Sequence, residues 1–233
     1  MSVAKQSASD GSAVRLQVAS LVDLAYERLQ IQIASGTLAE GSRLIIDELA
    51  RTFGTSAIPI REALVRLKAE RFVTFEPNKG YRVAPRPDSM ELEHLFQARI
   101  ILEIGAVRGG LGNVDEDVLE ALTAENAELM RIRVGGSSAA NRAFILANER
   151  FHLLLVGLSR NPFVIDAYNR LGYHQRMLQT HYERGDPDAE RVIREHDEII
   201  LALRTKKHGP VEKALRDHIV FGRSRLLDPS ARP

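Results

Sequence analysis

Leu21, Leu24, Ala25, Leu29 and Ile33 recur at the spacing of one helical face, which predicts an amphipathic helix from about Val18 to Ala34 ending near Gly36. After the turn Gly36 to Gly41, Leu49, Ala50 and Phe53 form the inner face of a short helix that begins near Asp47 and stops at Gly54. Ser56 stands at the cap of a third helix. Pro59 falls in its first turn, where a missing N–H costs nothing, and Ile60, Ala63, Leu64 and Leu67 supply its buried stripe. Phe72 to Phe75 reads as a strand, Glu76 to Gly80 as a turn and Tyr81 to Val83 as the returning strand. Helix, helix, tight turn, helix and hairpin is the order of a winged helix-turn-helix, expected over residues 18–84, with 1–17 as a polar, disordered arm.

The pattern changes at Ala84-Pro85-Arg86-Pro87, a stiff break that makes 85–88 a linker, and Asp88 followed by Glu91 has the form of a helix-starting capping box. From there to about residue 228 the periodicity is helical, over roughly 89–107, 116–132, 139–158, 162–182, 187–205 and 210–226. Glycine, proline and asparagine clusters separate these runs. The expected fold is therefore mainly α, with an N-terminal winged helix-turn-helix and a C-terminal all-α antiparallel bundle of about six helices.

Composition sharpens this in two respects. The 233 residues contain no cysteine, which excludes disulfides, thiolate metal sites and cysteine nucleophiles. No apolar run approaches the roughly 20 residues of a membrane span, so the expectation is a cytoplasmic protein without a membrane partner. The net charge of +1 is unevenly distributed: Arg51 to Arg86 holds eight Lys/Arg against three acids, an excess of +5, which leaves −4 for the remainder. A basic stretch that coincides with the winged helix predicts double-stranded DNA as a partner.

In such a motif the exposed start of the third helix enters the major groove and the wing tip reaches phosphates or the minor groove. Arg61 and Arg66 are placed for bases or phosphates, Ser56 for a phosphate, and Lys79 beside Gly80 for the wing tip. Gly36-Thr-Leu-Ala-Glu-Gly41, Leu49-Ala50, Pro59-Ile-Arg-Glu-Ala-Leu64 and Gly80-Tyr-Arg-Val83 resemble the GntR-family DNA-binding domain, from about Leu21 to Val83. Where that family usually has Ser-Arg-Thr-Pro, this chain has Ser56-Ala57-Ile58-Pro59. The resemblance implies a homodimer on a palindromic operator, and the departure puts more of the direct readout on Arg61.

In the bundle the inward stripes are Phe144, Asn148, Phe151, His152 and Leu155; then Ile193, His196, Ile200 and Leu203; then Val211, Leu215, His218 and Ile219. Three helices each bring a histidine inward, and Asn148 adds an amide oxygen one turn from His152. Such a set suits Zn²⁺, with Ni²⁺ or Mn²⁺ as alternatives. Asn148-Glu-Arg-Phe-His152, Asn161-Pro162, Glu195-His196, His218 and Arg99-Ile-Ile-Leu-Glu103 resemble the FCD ligand-binding domain of FadR-type GntR regulators, over about Met90 to Leu226. In that family an Asp-x-x-x-His and two further histidines bind a metal, and here Asn148 replaces the aspartate. Arg99 is expected either to grip a small carboxylate effector beside the metal or to pair with Glu103 one turn away. A metal-dependent hydrolase is the alternative class, but no His-Glu-x-x-His is present. A regulator with a purely structural metal is the other. His94, His174, His181 and His208 have no convergent partners, although His174 could line the pocket.

Overall fold

A computed structural model of the chain describes residues 20–135, 137–172 and 189–227. The first helix, α1 (Leu21–Ala34), starts at a reciprocal capping box: the Ser20 hydroxyl accepts from the Asp23 amide, and the Asp23 carboxylate accepts from the Ser20 amide. Next come β1 (Arg43–Leu44), α2 (Ile46–Phe53), α3 (Ala57–Ala69), β2 (Val73–Glu76) and β3 (Gly80–Val83). The strands form an antiparallel sheet in the order β1-β3-β2, with Leu44 opposite Tyr81 and Glu76 opposite Gly80. Strand β1 was not anticipated, because two residues are too few to show an alternation; it exists because it covers the otherwise open edge of β3. Leu29, Ile60, Leu64, Leu67 and Phe72 are fully buried and hold α1, α3 and the wing together.

The bundle comprises α4 (Ser89–Gly110), a 3₁₀ turn at Leu111–Asn113, α5 (Glu116–Arg131), α6 (Ser138–Gly157), α7 (Pro162–Leu171), α8 (Ala189–Arg204) and α9 (His208–Leu227). Helix α4 lies against α6, α7 and α9, and α5 lies against α6 and α8. Phe96, Val107, Leu122, Phe151, Leu155, Ile199, Leu203, Leu215 and Ile219 make one continuous core. The end of α4 runs so close to α6 that a Cβ on Gly110 would sit 2.2 Å from the carbonyl of Leu158, the same carbonyl that accepts from the Asn113 amide at 2.8 Å. The helix expected over 162–182 instead stops at Gly172, whose φ of +60° turns the chain out of the helix. The rest of that stretch, with His174 and His181, lies outside the described residues, as do residues 1–19 of the expected arm.

Helix α6 joins the two halves. Ile145 packs both on the winged-helix core and on Leu92 and Leu95, while Arg142 reaches Glu27 of α1 at 4.0 Å. The inward face of the same helix carries His152.

Candidate metal centre and DNA-contacting surface

His152 on α6, His196 on α8 and His218 on α9 meet inside the bundle, with one ring nitrogen of each within 4.8 Å of the others and all three side chains buried. Each ring has its Nδ1 aimed at an acceptor: Glu103 Oε2 at 2.8 Å from His152, Asn126 Oδ1 at 3.2 Å from His196 and Glu195 Oε2 at 2.9 Å from His218. Carboxylate oxygens only accept, so the Nδ1 atoms of His152 and His218 carry the protons. Asn126 donates through Nδ2 to the Ile193 carbonyl and to Asp197, which turns its oxygen to His196 and fixes that tautomer too.

The three Nε2 atoms are then left as lone pairs. His152 Nε2 and His218 Nε2 face each other across 3.1 Å, and His196 Nε2 is buried without a hydrogen-bond partner. The Arg99 guanidinium stands 3.2 Å from His152 Nε2, which leaves the opposed His218 lone pair and the orphaned His196 lone pair for a cation to satisfy. Burial first, and neighbouring imidazoles and arginines next, hold His196 and His218 well below the ordinary histidine pKa. Burial also lowers His152, against the opposing pull of Glu103. Neutral imidazoles with Nδ1 anchored and Nε2 directed inward are the form a divalent ion binds, with no proton to displace. The donor set fits a metal. Phe151, stacked on His196 at a centroid distance of 3.7 Å, forms an apolar wall.

Of the two roles expected of Arg99, the pair with Glu103 forms, and it forms in this place. Its Nε donates to Glu103 Oε1 at 2.6 Å, and its Nη2 lies 3.3 and 3.2 Å from the two ring nitrogens of His152. The pair is not the solvent-exposed one a helical repeat suggests: Arg99 is 1% and Glu103 0% exposed. Burial penalises the Glu103 carboxylate, but the charges and hydrogen bonds of Arg99 and His152 outweigh that and hold its pKa below the carboxylate range. Asn148 lies one turn before His152 on α6 and is half-buried. An amide bonded to a site histidine comes from Asn126, which the sequence reading did not single out. Its signal was present: Leu119, Leu122, Asn126 and Leu129 form the buried stripe of α5, with one polar member. Glu195 is buried as well, accepting from Arg191 and Arg225. His94 and His208 are exposed.

On the winged helix, Ser56 occupies the N-cap of α3 with its side chain exposed and not engaged in a cap hydrogen bond. Arg61 is exposed and joins no ion pair among the described residues. Arg66 turns back to α1, 2.8 Å from Asp23 and with its guanidinium 4.1 Å from the Tyr26 ring centroid. Lys79 stands at the wing tip, paired with Glu76 at 2.6 Å on the surface, beside Gly80. Next to Arg66, the Tyr26 hydroxyl donates to Glu70 and accepts from Gln30.

The profile described as bacterial regulatory proteins of the gntR family matches residues 21–83, and that of the FCD domain matches residues 94–221. The chain is 28% identical over 198 residues to the Bacillus subtilis protein named uncharacterized HTH-type transcriptional regulator YdhC, covering 84% of each. It is 26% identical over 196 residues to the gluconate operon transcriptional repressor of Bacillus licheniformis, covering 82% of this chain and 78% of the relative. The solved structure of E. coli McbR/YncC superposes with a TM-score of 0.65 at 23% identity, covering 90% of this chain and 98% of that one.

Proposed function

Because this chain belongs to the GntR family of bacterial regulatory proteins and carries an FCD domain, and is thus a DNA-binding transcriptional regulator with a C-terminal effector-binding domain, we propose that its effector is a small carboxylate bound beside a divalent metal. The observation that carries this reading is the inward convergence of three Nε2 lone pairs, one of them orphaned. His152, His196 and His218 hold the ion, with Asn148 as fourth ligand. The donor set favours Zn²⁺, with Ni²⁺ or Mn²⁺ next. The ion supplies a Lewis-acidic position for a carboxylate oxygen, and Arg99, anchored by Glu103, orients the acid through its guanidinium fork. The relative named as a gluconate operon transcriptional repressor supports a repressor's sign of action. Glu195 favours this sensor over a hydrolase, since it holds His218 and two arginines and is not disposed to activate water.

Two copies of the chain bind a palindromic operator in the cytoplasm. Arg61 reads base edges, while Ser56, Arg66, Lys79 and the Gly80 backbone contact phosphates. Helix α6 carries the signal, because it bears His152 on one face and presses Arg142 and Ile145 against the winged helix on another. The acid must bind the DNA-competent and DNA-free conformations unequally for this to work. Elemental analysis of the intact protein and of His152→Ala, His196→Ala and His218→Ala tests the centre: the intact protein holds metal and each variant loses it. Full metal content in all three variants refutes the site. Operator affinity that stays constant across a broad panel of organic acids refutes the sensor. Chelation that melts the fold while leaving the acid response unchanged assigns the metal a structural role only.

A further inference from the structure

We infer that the effector of this centre is a dianion, a dicarboxylate in preference to a monocarboxylate; the inference rests on the metal and acid reading above and adds the charge that reading leaves open. The four donors, His152, His196, His218 and Asn148, are all electrically neutral as ligands. The buried charges around them cancel in pairs: Arg99 with Glu103 at 2.6 Å within α4, and Arg225 with Glu195 at 3.2 Å between α9 and α8. Glu103 anchors His152 and Arg99, and Glu195 anchors His218, Arg191 and Arg225, so the negative charge of each carboxylate is already matched by a buried cation and is held away from the Nε2 side of the cluster by the imidazole it anchors. The third imidazole leans on an amide, Asn126, which brings no charge. The next charges outward, Arg191 on Glu195 and Asp197 on Asn126, are opposite in sign and partly solvated.

A divalent ion therefore adds two positive charges to a buried, otherwise balanced cluster, and such a surplus is costly where water cannot screen it. A monocarboxylate removes half of it, and a dicarboxylate removes all of it. The second carboxylate also gives Arg99 and the metal one anionic group each, so they need not divide a single one.

The test is calorimetric titration of the metal-loaded full chain with acids paired by carbon number: propionate with malonate, butyrate with succinate, valerate with glutarate. In at least one pair the dicarboxylate is expected to bind about tenfold more tightly or better, the factor given by little more than one favourable charge contact. Asn148→Asp places one negative charge in the donor set. It should raise retention of the metal against a chelator by about tenfold and bring the best pair close to parity. Equal affinities in every pair of the unaltered protein, or a monocarboxylate preference, overturn the inference, as does an undiminished dicarboxylate preference in a metal-loaded Asn148→Asp variant. Metal content measured on the same samples separates the two levels. Protein that takes up no metal overturns the proposed centre and this inference with it, and metal-loaded protein that binds neither class overturns the acid effector. Metal-loaded protein that binds both classes equally overturns the dianion alone.

Discussion

The Arg99–Glu103 pair provides the sharpest energetic test of the bundle, because both members are almost wholly removed from water, at 1% and 0% exposure. Glu103→Gln keeps the shape and one acceptor but removes the negative charge, leaving a guanidinium buried beside His152 with its opposite charge gone. At an effective dielectric of about 20, two unit charges roughly 4 Å apart attract by about 4 kcal/mol. Breaking a buried pair from one side costs about 3–5 kcal/mol. That is a large share of the roughly 5–15 kcal/mol that stabilises a typical domain. Removing both charges together in Arg99→Met/Glu103→Leu avoids the stranded cation and forfeits chiefly the hydrogen bond from His152 Nδ1, a loss of about 1–2 kcal/mol. The double variant is thus expected to be more stable than Glu103→Gln. Urea unfolding of chelator-treated protein, followed by circular dichroism with the slope checked for constancy, yields the two stabilities to compare with that of the unaltered protein. A loss below about 1 kcal/mol for Glu103→Gln, or a double variant less stable than that single one, refutes the argument that the pair's cost lies in an uncompensated buried charge.

On the winged helix, Arg61→Ala should weaken specific operator binding by about 1–3 kcal/mol in a mobility-shift titration while leaving random DNA little affected; unchanged operator affinity means α3 is not the reading helix. Lys79→Ala should weaken all sequences alike and lower the salt slope by about 1, and a sequence-selective loss contradicts a phosphate role at the wing tip. Gly110→Ala should lower stability by about 1–3 kcal/mol in thermal melts, because its Cβ meets the Leu158 carbonyl at 2.2 Å; an unchanged melting temperature means α4 and α6 part at no cost. Burial first and Glu70 second push Glu149 up to about 6. Its folded pKa lies above its unfolded one, so ionisation at neutral pH costs stability, and that cost is relieved as pH falls through 6 towards 4.5. Glu149→Gln should therefore add about 1 kcal/mol at neutral pH and flatten that part of the stability profile. A stability loss at neutral pH overturns this.

The parts of the molecule that follow from a single helix's period could be read along the chain. Phe151, His152 and Leu155, His196 and Ile200, and Leu215, His218 and Ile219 are buried where their spacing puts them. What decides the chemistry of the centre lies across helices instead. Glu103 looks like a partner for Arg99 alone until α6 brings His152, 49 positions on, to its other oxygen. Glu195 and His196 are adjacent, and a helical wheel separates them by about 100°, yet both are buried because α8 lies between α5 and α9. His196 turns to Asn126 on α5, and Glu195 turns to His218 and Arg225 on α9. Periodicity gives each helix its inward face but not the neighbour that face meets, so hydrogen-bond partners were the illegible part. The short strand β1 and the stop at Gly172 were missed for a related reason, since each depends on what surrounds a few residues.

These partners also rank the ligands. An imidazole that donates Nδ1–H to a carboxylate becomes a more basic ligand at Nε2, and one that donates to a neutral amide gains less. His152 and His218 rest on Glu103 and Glu195, whereas His196 rests on Asn126 at the longer distance of 3.2 Å. His196 is accordingly the weakest of the three donors, although its Nε2 is the most plainly in need of a partner. In chelator competition, His196→Ala should reduce metal affinity least of the three alanine variants. If His196→Ala instead costs the most, then the Nδ1 acceptors do not set the strength of this centre and the geometry of the three nitrogens alone does.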